Sequence, residues 1–201
     1  MGRIKKVTKQ TDNRFLNMYA LKAENRKGGE VNYFVASRWD TPEEMKLSTK
    51  DNRPDGMAIY SLYGEQKDKI VLIRQYRYPL DGFIYEFPAG LVEPGEDCRK
   101  AAIREMKEET GLTFHPIEVP EYFEKPFYTT IGMTDECCGM VYGWSDGEIS
   151  LAGLEDTEEL EVVIVDREEA KRILKEENVA IMCAYMLMHF IADEDPFQFL
   201  K

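Results

Sequence analysis

Cysteine is scarce in this chain and irregularly placed. Cys98, Cys137, Cys138 and Cys183 are the only four in 201 residues, and they show neither zinc-ligand spacing nor the pattern of a disulfide framework. The adjacent pair Cys137-Cys138 would point to opposite faces of a strand. These features imply reduced thiols and a cytoplasmic setting. Long apolar runs are also missing. The longest, Val179 to Met188, is about half of the roughly 20 residues that a helix needs to span a bilayer. Met1 to Arg14 is polar, without the apolar centre of a secretion signal. Basic charge is in deficit, with 26 Lys and Arg against 38 Asp and Glu and a net charge of -12. Such a surface repels nucleic acid and anionic membrane. A phosphate-bearing ligand would need metal ions and a few local arginines to approach it. Internal repeats and low-complexity segments are absent.

What is present suffices for a packed core: 43% of residues are hydrophobic, and eleven are tyrosine. The length fits one domain, or a domain with a small extension. Phe15–Leu21 and Val31–Ser37 read as a strand pair around the polar turn Arg26-Lys27-Gly28-Gly29. A lone hairpin is marginally stable, so this one must pack on its own domain or on a partner subunit. The polar stretch Asp40 to Asp55 follows as a connector, which gives a hairpin region over 1–52 and a main domain over 53–201. Strands are expected at Met57–Tyr63, Ile70–Tyr76, Phe83–Phe87, His115–Phe127, Cys137–Trp144 and Leu160–Val165. Asp166 caps a helix, with Glu169 as its capping-box partner. A last helix, Val179 to Ala192, is apolar nearly all round and is expected to be buried. Strands on both sides of one central helix, with helices at the C-terminal end, make an α/β sandwich.

That central helix is the most informative stretch. From Gly90 to Leu112 a glycine is followed by Glu96, then Arg104-Glu105, then Glu108-Glu109 and Gly111. Gly95-Glu96-Asp97 supplies a turn and a cap, and Gly111 ends the helix. Glu105, Glu108 and Glu109 stand at i, i+3, i+4 on one face, with Glu96 approaching from the loop. Like charges at this spacing repel by about 0.2–0.5 kcal/mol per pair. A counter-charge is therefore required, and an all-oxygen cluster suits hard divalent cations. A solvated acidic face is the ordinary reading of a Glu-rich helix. The Gly-rich turn and the lone Arg104, placed to orient Glu108, weigh against it.

This 23-residue stretch resembles the signature of Nudix hydrolases at every fixed position. The resemblance implies a Nudix α/β/α sandwich with a mixed sheet, preceded by a small N-terminal β-hairpin region. It also implies metal-dependent hydrolysis of a nucleoside diphosphate linked to another group, with Mg2+ or Mn2+ as cofactor. Carried over by position, Glu105, Glu108, Glu109 and the carbonyl of Ala89 would be metal ligands. Gly90, Glu96, Arg104 and Gly111 would hold the loop–helix unit. Arg74-Gln75-Tyr76-Arg77-Tyr78-Pro79 and Tyr85-Glu86-Phe87-Pro88-Ala89-Gly90 look like the ADP-ribose pyrophosphatase branch. That branch implies a homodimer with an exchanged N-terminal hairpin, and substrate contacts from Arg77, Arg38, Thr130, Gly132 and Glu136. An arginine paired with an acidic neighbour at a sheet end is the alternative for Arg77. Gly132 and Glu136 keep the branch's spacing, while Ile131 stands where proline is usual.

A second acidic cluster precedes the strand at Leu160. The resemblance assigns a loop glutamate there as catalytic base or further metal ligand. Glu158 takes that position, and a slip in register would make it Asp156 or Glu159. Proton removal falls to Glu158, or to Glu108 in the alternative. The implied reaction turns ADP-ribose into AMP and ribose 5-phosphate. GDP-mannose or another nucleotide sugar is the alternative substrate, and a non-catalytic nucleotide sensor is the alternative role. Glycoside hydrolysis by paired carboxylates, which needs no metal, is a further contrast.

Overall fold

A computed structural model of the protein describes residues 2–154 and 158–201. The chain divides into two compact units. One comprises the residues up to Asp55 together with Pro126–Cys138, and the other Gly56–Lys125 with Gly139–Lys201.

The first unit carries an antiparallel sheet of three strands in sequence order: β1 (Arg3–Lys9), β2 (Asn17–Glu24) and β3 (Glu30–Ser37). The second and third form the hairpin expected from the sequence, with Tyr19 opposite Val35 in register. The first was not expected, because its sequence Arg-Ile-Lys-Lys-Val-Thr-Lys shows too little apolar alternation to signal a strand. The stretch from Asp40 to Asp55 is more than a polar connector. It contains the short helix α1 (Lys46–Thr49), and Met45 just before it is fully buried with Tyr19 and Val35 in this unit's core.

The second unit is built on β4 (Gly56–Tyr63) and β5 (Lys69–Arg77). Both strands are apolar and buried on both faces, the pattern of a strand covered on its two sides. β6 (Gly82–Glu86) pairs with β5, and β7 (Ala89–Leu91) pairs with β4. The remaining strands are β8 (Thr113–Pro116), β9 (Phe127–Tyr128), β10 (Cys137–Asp146) and β11 (Leu160–Val165). The sheet runs β11-β5-β4-β10-β8. β9 belongs to the first unit, where it pairs with Cys137 and Cys138 at the head of β10.

On one face of this sheet lies α2 (Cys98–Thr110), which packs against β4, β7 and β8. Ala101, Ala102 and Met106 of the helix meet Met57, Ile59, Val71, Leu112, Phe114 and Val141 in a core that excludes water. Met106 is fully buried, and truncating such a side chain costs about 2–5 kcal/mol. Tyr60 alternates to the other side of β4 from Ile59, where its ring meets Phe197 and Phe199 and its hydroxyl donates to the Pro196 carbonyl at 3.0 Å. α4 (Arg167–Glu176) and α5 (Ile181–Ala192) pack on each other, and α5 reaches β6.

Three local expectations change. The strand foreseen over His115–Phe127 stops at Pro116, and after Pro120 the chain makes the one-turn helix α3 (Glu121–Glu124). Proline removes the ladder donor that a continuing strand would need. α5 is not buried all round: Cys183, Leu187 and Phe190 face inward, while Ile181, Tyr185 and Met188 are exposed. At α4 the Asp166 carboxylate does accept from the Glu169 amide at 2.8 Å, but the Glu169 side chain is engaged with Arg172.

Candidate active site

The site in the second unit begins with the turn before α2. Gly95 adopts a positive φ of 82°, and the Glu96 amide donates back to the Glu93 carbonyl at 2.9 Å. The Glu96 carboxylate then accepts from the Glu93 amide at 3.1 Å. Asp97 caps the helix by accepting from the Arg99 amide. At the far end Gly111 has a φ of 75°, and a Cβ there would lie 2.5 Å from the Ser150 nitrogen, so only glycine fits.

Arg104 is the hub of this turn and helix. Its guanidinium donates to both oxygens of Glu96, to Glu105 at 2.7 Å, to Glu108 at 3.1 Å and to the Leu91 carbonyl. A fixed planar fork with several donors is what lets one residue serve so many acceptors. The neighbouring guanidinium holds the Glu96 carboxyl below its usual range. The acceptors in turn raise the pKa of Arg104, chiefly through Glu96.

The other two carboxylates lie deeper. Glu105 sits against Gly90, so closely that a Cβ on Gly90 would fall 2.0 Å from its carboxyl carbon. Burial raises its pKa; Arg104 opposes that, and the charges of Glu108 and Glu158 add to it. Glu109 is only 3% exposed, and it accepts from the Ala89 amide at 3.1 Å. Burial pushes its carboxyl up to about 8, with further upward pressure from Glu105 and Glu158 and some relief from Arg77. Glu158 thus acts electrostatically on both buried carboxylates. Arg77 is itself paired with the half-buried Glu86 at the end of β5.

Several residues foreseen in the sequence therefore come together in this unit: Ala89, Gly90, Glu96, Arg104, Glu105, Glu108 and Glu109, with the charges of Glu158 and Arg77 acting on Glu109. The substrate-contact candidates Arg38, Thr130, Gly132 and Glu136 lie in the first unit. There Arg38 pairs with Glu136 at 2.9 Å, Thr129 also donates to Glu136, and the Gly132 carbonyl accepts from the Tyr33 hydroxyl at 2.6 Å. The Thr130 carbonyl accepts from the Met133 and Thr134 amides. Of the alternatives to Glu158, Asp156 lies outside the described residues, and the Glu159 carbonyl accepts from the Tyr76 amide. Glu86 was passed over in the sequence, although its place beside Phe87-Pro88-Ala89-Gly90 at the end of a strand could have marked it.

Among the described residues no group of three or more His, Cys, Asp or Glu is already arranged around a metal position. The donor chemistry nonetheless fits a hard divalent cation. Glu105 and Glu109 are oxygen donors with raised pKa values, carrying mutual repulsion that a cation would relieve. Glu108 and Glu105 lean on Arg104, which serves as their counter-charge.

The NUDIX domain family model matches residues 52–184. The chain belongs to the Nudix hydrolase family. It is 35% identical over 128 residues to a methanol dehydrogenase activator of Bacillus methanolicus, covering 63% of this chain and 65% of that one. It is 32% identical over 132 residues to an ADP-ribose pyrophosphatase of Saccharomyces cerevisiae, covering 64% of this chain and 56% of that one. The matched region thus spans less than two thirds of either relative. A crystal structure of an ADP compounds hydrolase shares the Nudix fold, with a TM-score of 0.68 at 19% identity over 94% of this chain and 91% of that one. The α/β architecture around the Nudix helix α2 is accordingly the one expected from the sequence. Among the described residues no helix is long and apolar enough to cross a membrane.

Proposed function

We propose that this Nudix protein hydrolyses the diphosphate bond of a nucleoside diphosphate sugar in a Mg2+-dependent reaction, taking ADP-ribose to AMP and ribose 5-phosphate. The observation that carries the reading is the placing of buried Glu109 and partly buried Glu105 beside the Ala89-Gly90 turn, with the Glu158 charge bearing on both. The ADP-ribose pyrophosphatase among the relatives supports the choice of substrate class.

In this reading Glu105, Glu108, Glu109 and the Ala89 carbonyl would hold the divalent ions. Such ions neutralise diphosphate charge and lower the pKa of water. The chain's own residues do the rest. Glu158 takes the proton from the attacking water, which enters in line at one phosphorus while the other phosphate departs. Arg77 turns its guanidinium fork from Glu86 to phosphate or ribose oxygens. Arg104 keeps the Glu96 turn locked to α2, so that the carboxylates keep their spacing. Residues 1–52 serve as the dimerisation region of a cytoplasmic homodimer and residues 53–201 as the hydrolase domain. Arg38, Thr130, Gly132 and Glu136 contribute substrate contacts.

The test is a substrate panel of ADP-ribose, GDP-mannose, NADH, diadenosine polyphosphates and oxidised nucleotides, each assayed with Mg2+ and with chelator. AMP release from ADP-ribose that stops on chelation supports the reading. Turnover of GDP-mannose alone moves the substrate to the sibling class. Binding without turnover of any of them makes the protein a sensor. Turnover unaffected by chelator refutes the metal-dependent mechanism.

A further inference from the structure

The first unit contains a buried polar cluster that the hydrolase reading does not use. Lys46 is 6% exposed and Cys137 is 1% exposed, although they are 91 positions apart in the chain. The Lys46 ammonium donates to the Arg53 carbonyl at 2.5 Å and pairs with Asp55 at 3.2 Å. The Cys137 thiol donates to the same Arg53 carbonyl at 3.1 Å, and the Cys137 amide donates to the same Asp55 oxygen at 2.8 Å. The Lys46 nitrogen and the Cys137 sulfur thus share one acceptor, the Arg53 carbonyl, and Asp55 binds the ammonium and the Cys137 backbone amide. Lys46 forms part of the wall of a cavity of about 130 Å³, with Trp39, Glu44, Thr49, Asp51 and Arg53. That is room for a few molecules of the size of water. Trp39 also lines it, and its buried indole N–H has no hydrogen-bond partner among the described residues.

We propose that this cavity admits hydrogen peroxide and that Lys46 and Cys137 form a reversible covalent N–O–S bridge, a redox modification site of the first unit. Peroxide is small, which suits the cavity's size. In the first step the Cys137 sulfur takes one oxygen from peroxide: the O–O bond breaks, an S–O bond forms, and water leaves, giving the sulfenic acid. Lys46 passes its ammonium proton to Asp55, and a second peroxide oxidises the freed amine to a hydroxylamine, again releasing water. The hydroxylamine oxygen then displaces hydroxide from the sulfenic sulfur, which leaves with the hydroxylamine proton as a third water. Two peroxides are consumed in all, one N–H and one S–H are lost, and one oxygen is retained between nitrogen and sulfur.

The test is peroxide titration of the unsubstituted 201-residue chain, followed by intact mass and peptide mapping before and after dithiothreitol. The expected product is heavier by one oxygen and lighter by two hydrogens, joins the Lys46 and Cys137 peptides, resists trypsin at Lys46 and reverts with dithiothreitol. Lys46→Arg should abolish the linked species and leave Cys137 on the ordinary sulfenic and sulfinic ladder, while Cys183→Ser should leave the link intact. Three wild-type outcomes would overturn the proposal: sulfinic or sulfonic acid at Cys137 with Lys46 still cleaved by trypsin, a Cys137–Cys138 disulfide, or an unmodified Cys137. Because the decisive measurement is on the wild-type chain, a variant that fails to fold does not blunt it.

Discussion

Replacing Glu109 with glutamine should change how the stability of the metal-free protein depends on pH. Glu109 is 3% exposed, and its carboxyl is raised from 4.5 to about 8, mainly by burial. A raised carboxyl binds its proton more tightly in the folded chain than in the unfolded one. Its contribution is therefore fully present below about pH 4.5 and is lost as pH rises toward 8. At about 1.4 kcal/mol per pH unit, the span from pH 5 to pH 8 amounts to roughly 4 kcal/mol. Glu105, also raised, acts in the same direction. The depressed carboxyls of Glu96 and Glu118 act in the opposite direction, but their window lies below the ordinary value of 4.5. Glutamine keeps an oxygen to accept from the Ala89 amide and carries no charge. The assay is urea unfolding in chelator at pH 5, 6, 7 and 8, read from Trp144, which lies in the same unit as Glu109, with Trp39→Phe in both proteins to silence the first unit. Wild type should lose roughly 4 kcal/mol more than Glu109→Gln over this range, and Mg2+ at pH 8 should restore wild type more than the variant. Parallel curves for the two proteins would refute the burial argument and remove the reason for a cation beside Glu109.

Other outcomes test the site and the two units separately. Gly90→Ala should lower turnover by at least an order of magnitude, since its Cβ would meet the Glu105 carboxyl at 2.0 Å; full activity would mean that Glu105 can move without consequence. Glu158→Gln should cut kcat about 10²–10⁴-fold with little change in KM, and an unchanged rate would reassign the base. Glu108→Gln should cost orders of magnitude in kcat/KM while the far-ultraviolet circular dichroism stays that of wild type. Deleting residues 1–38 removes Tyr19 and Val35 from the core they share with Met45, and should abolish both dimer and substrate binding. A fully active monomer, seen by sedimentation, would contradict the dimer proposal.

Much of the fold could be read from the sequence because its signals are local. The sequence predicts β11 at Leu160–Val165 from an apolar, β-branched stretch broken only by Glu161, and α2 from a cap at Asp97 and a glycine at Gly111. What escaped depends on contacts made at a distance. β1 is polar, and it is a strand only because β2 offers it a ladder. The uniform apolarity of α5 gave no hint that Ile181, Tyr185 and Met188, at i, i+4 and i+7, would form an exposed stripe. The Lys46–Asp55–Cys137 cluster joins residues far apart in the chain, and no spacing rule reaches across that gap.

The carboxylates of α2 show where such reading stops. Helical periodicity fixes the direction in which a side chain leaves the helix axis, and so predicts one shared side for Glu105, Glu108 and Glu109. It says nothing of depth, because depth is set by what lies opposite. Here the opposing surface is the Ala89-Gly90 turn, which presents an amide to Glu109 and bare Cα space to Glu105. Glu108, one turn from Glu105, extends past that surface and keeps a side chain 49% exposed, against 14% for Glu105. Glu105 and Glu109, the two that reach the turn, hold their protons more tightly than an exposed carboxyl does, chiefly through burial. A bound cation is the favourable way to keep such carboxylates charged at neutral pH.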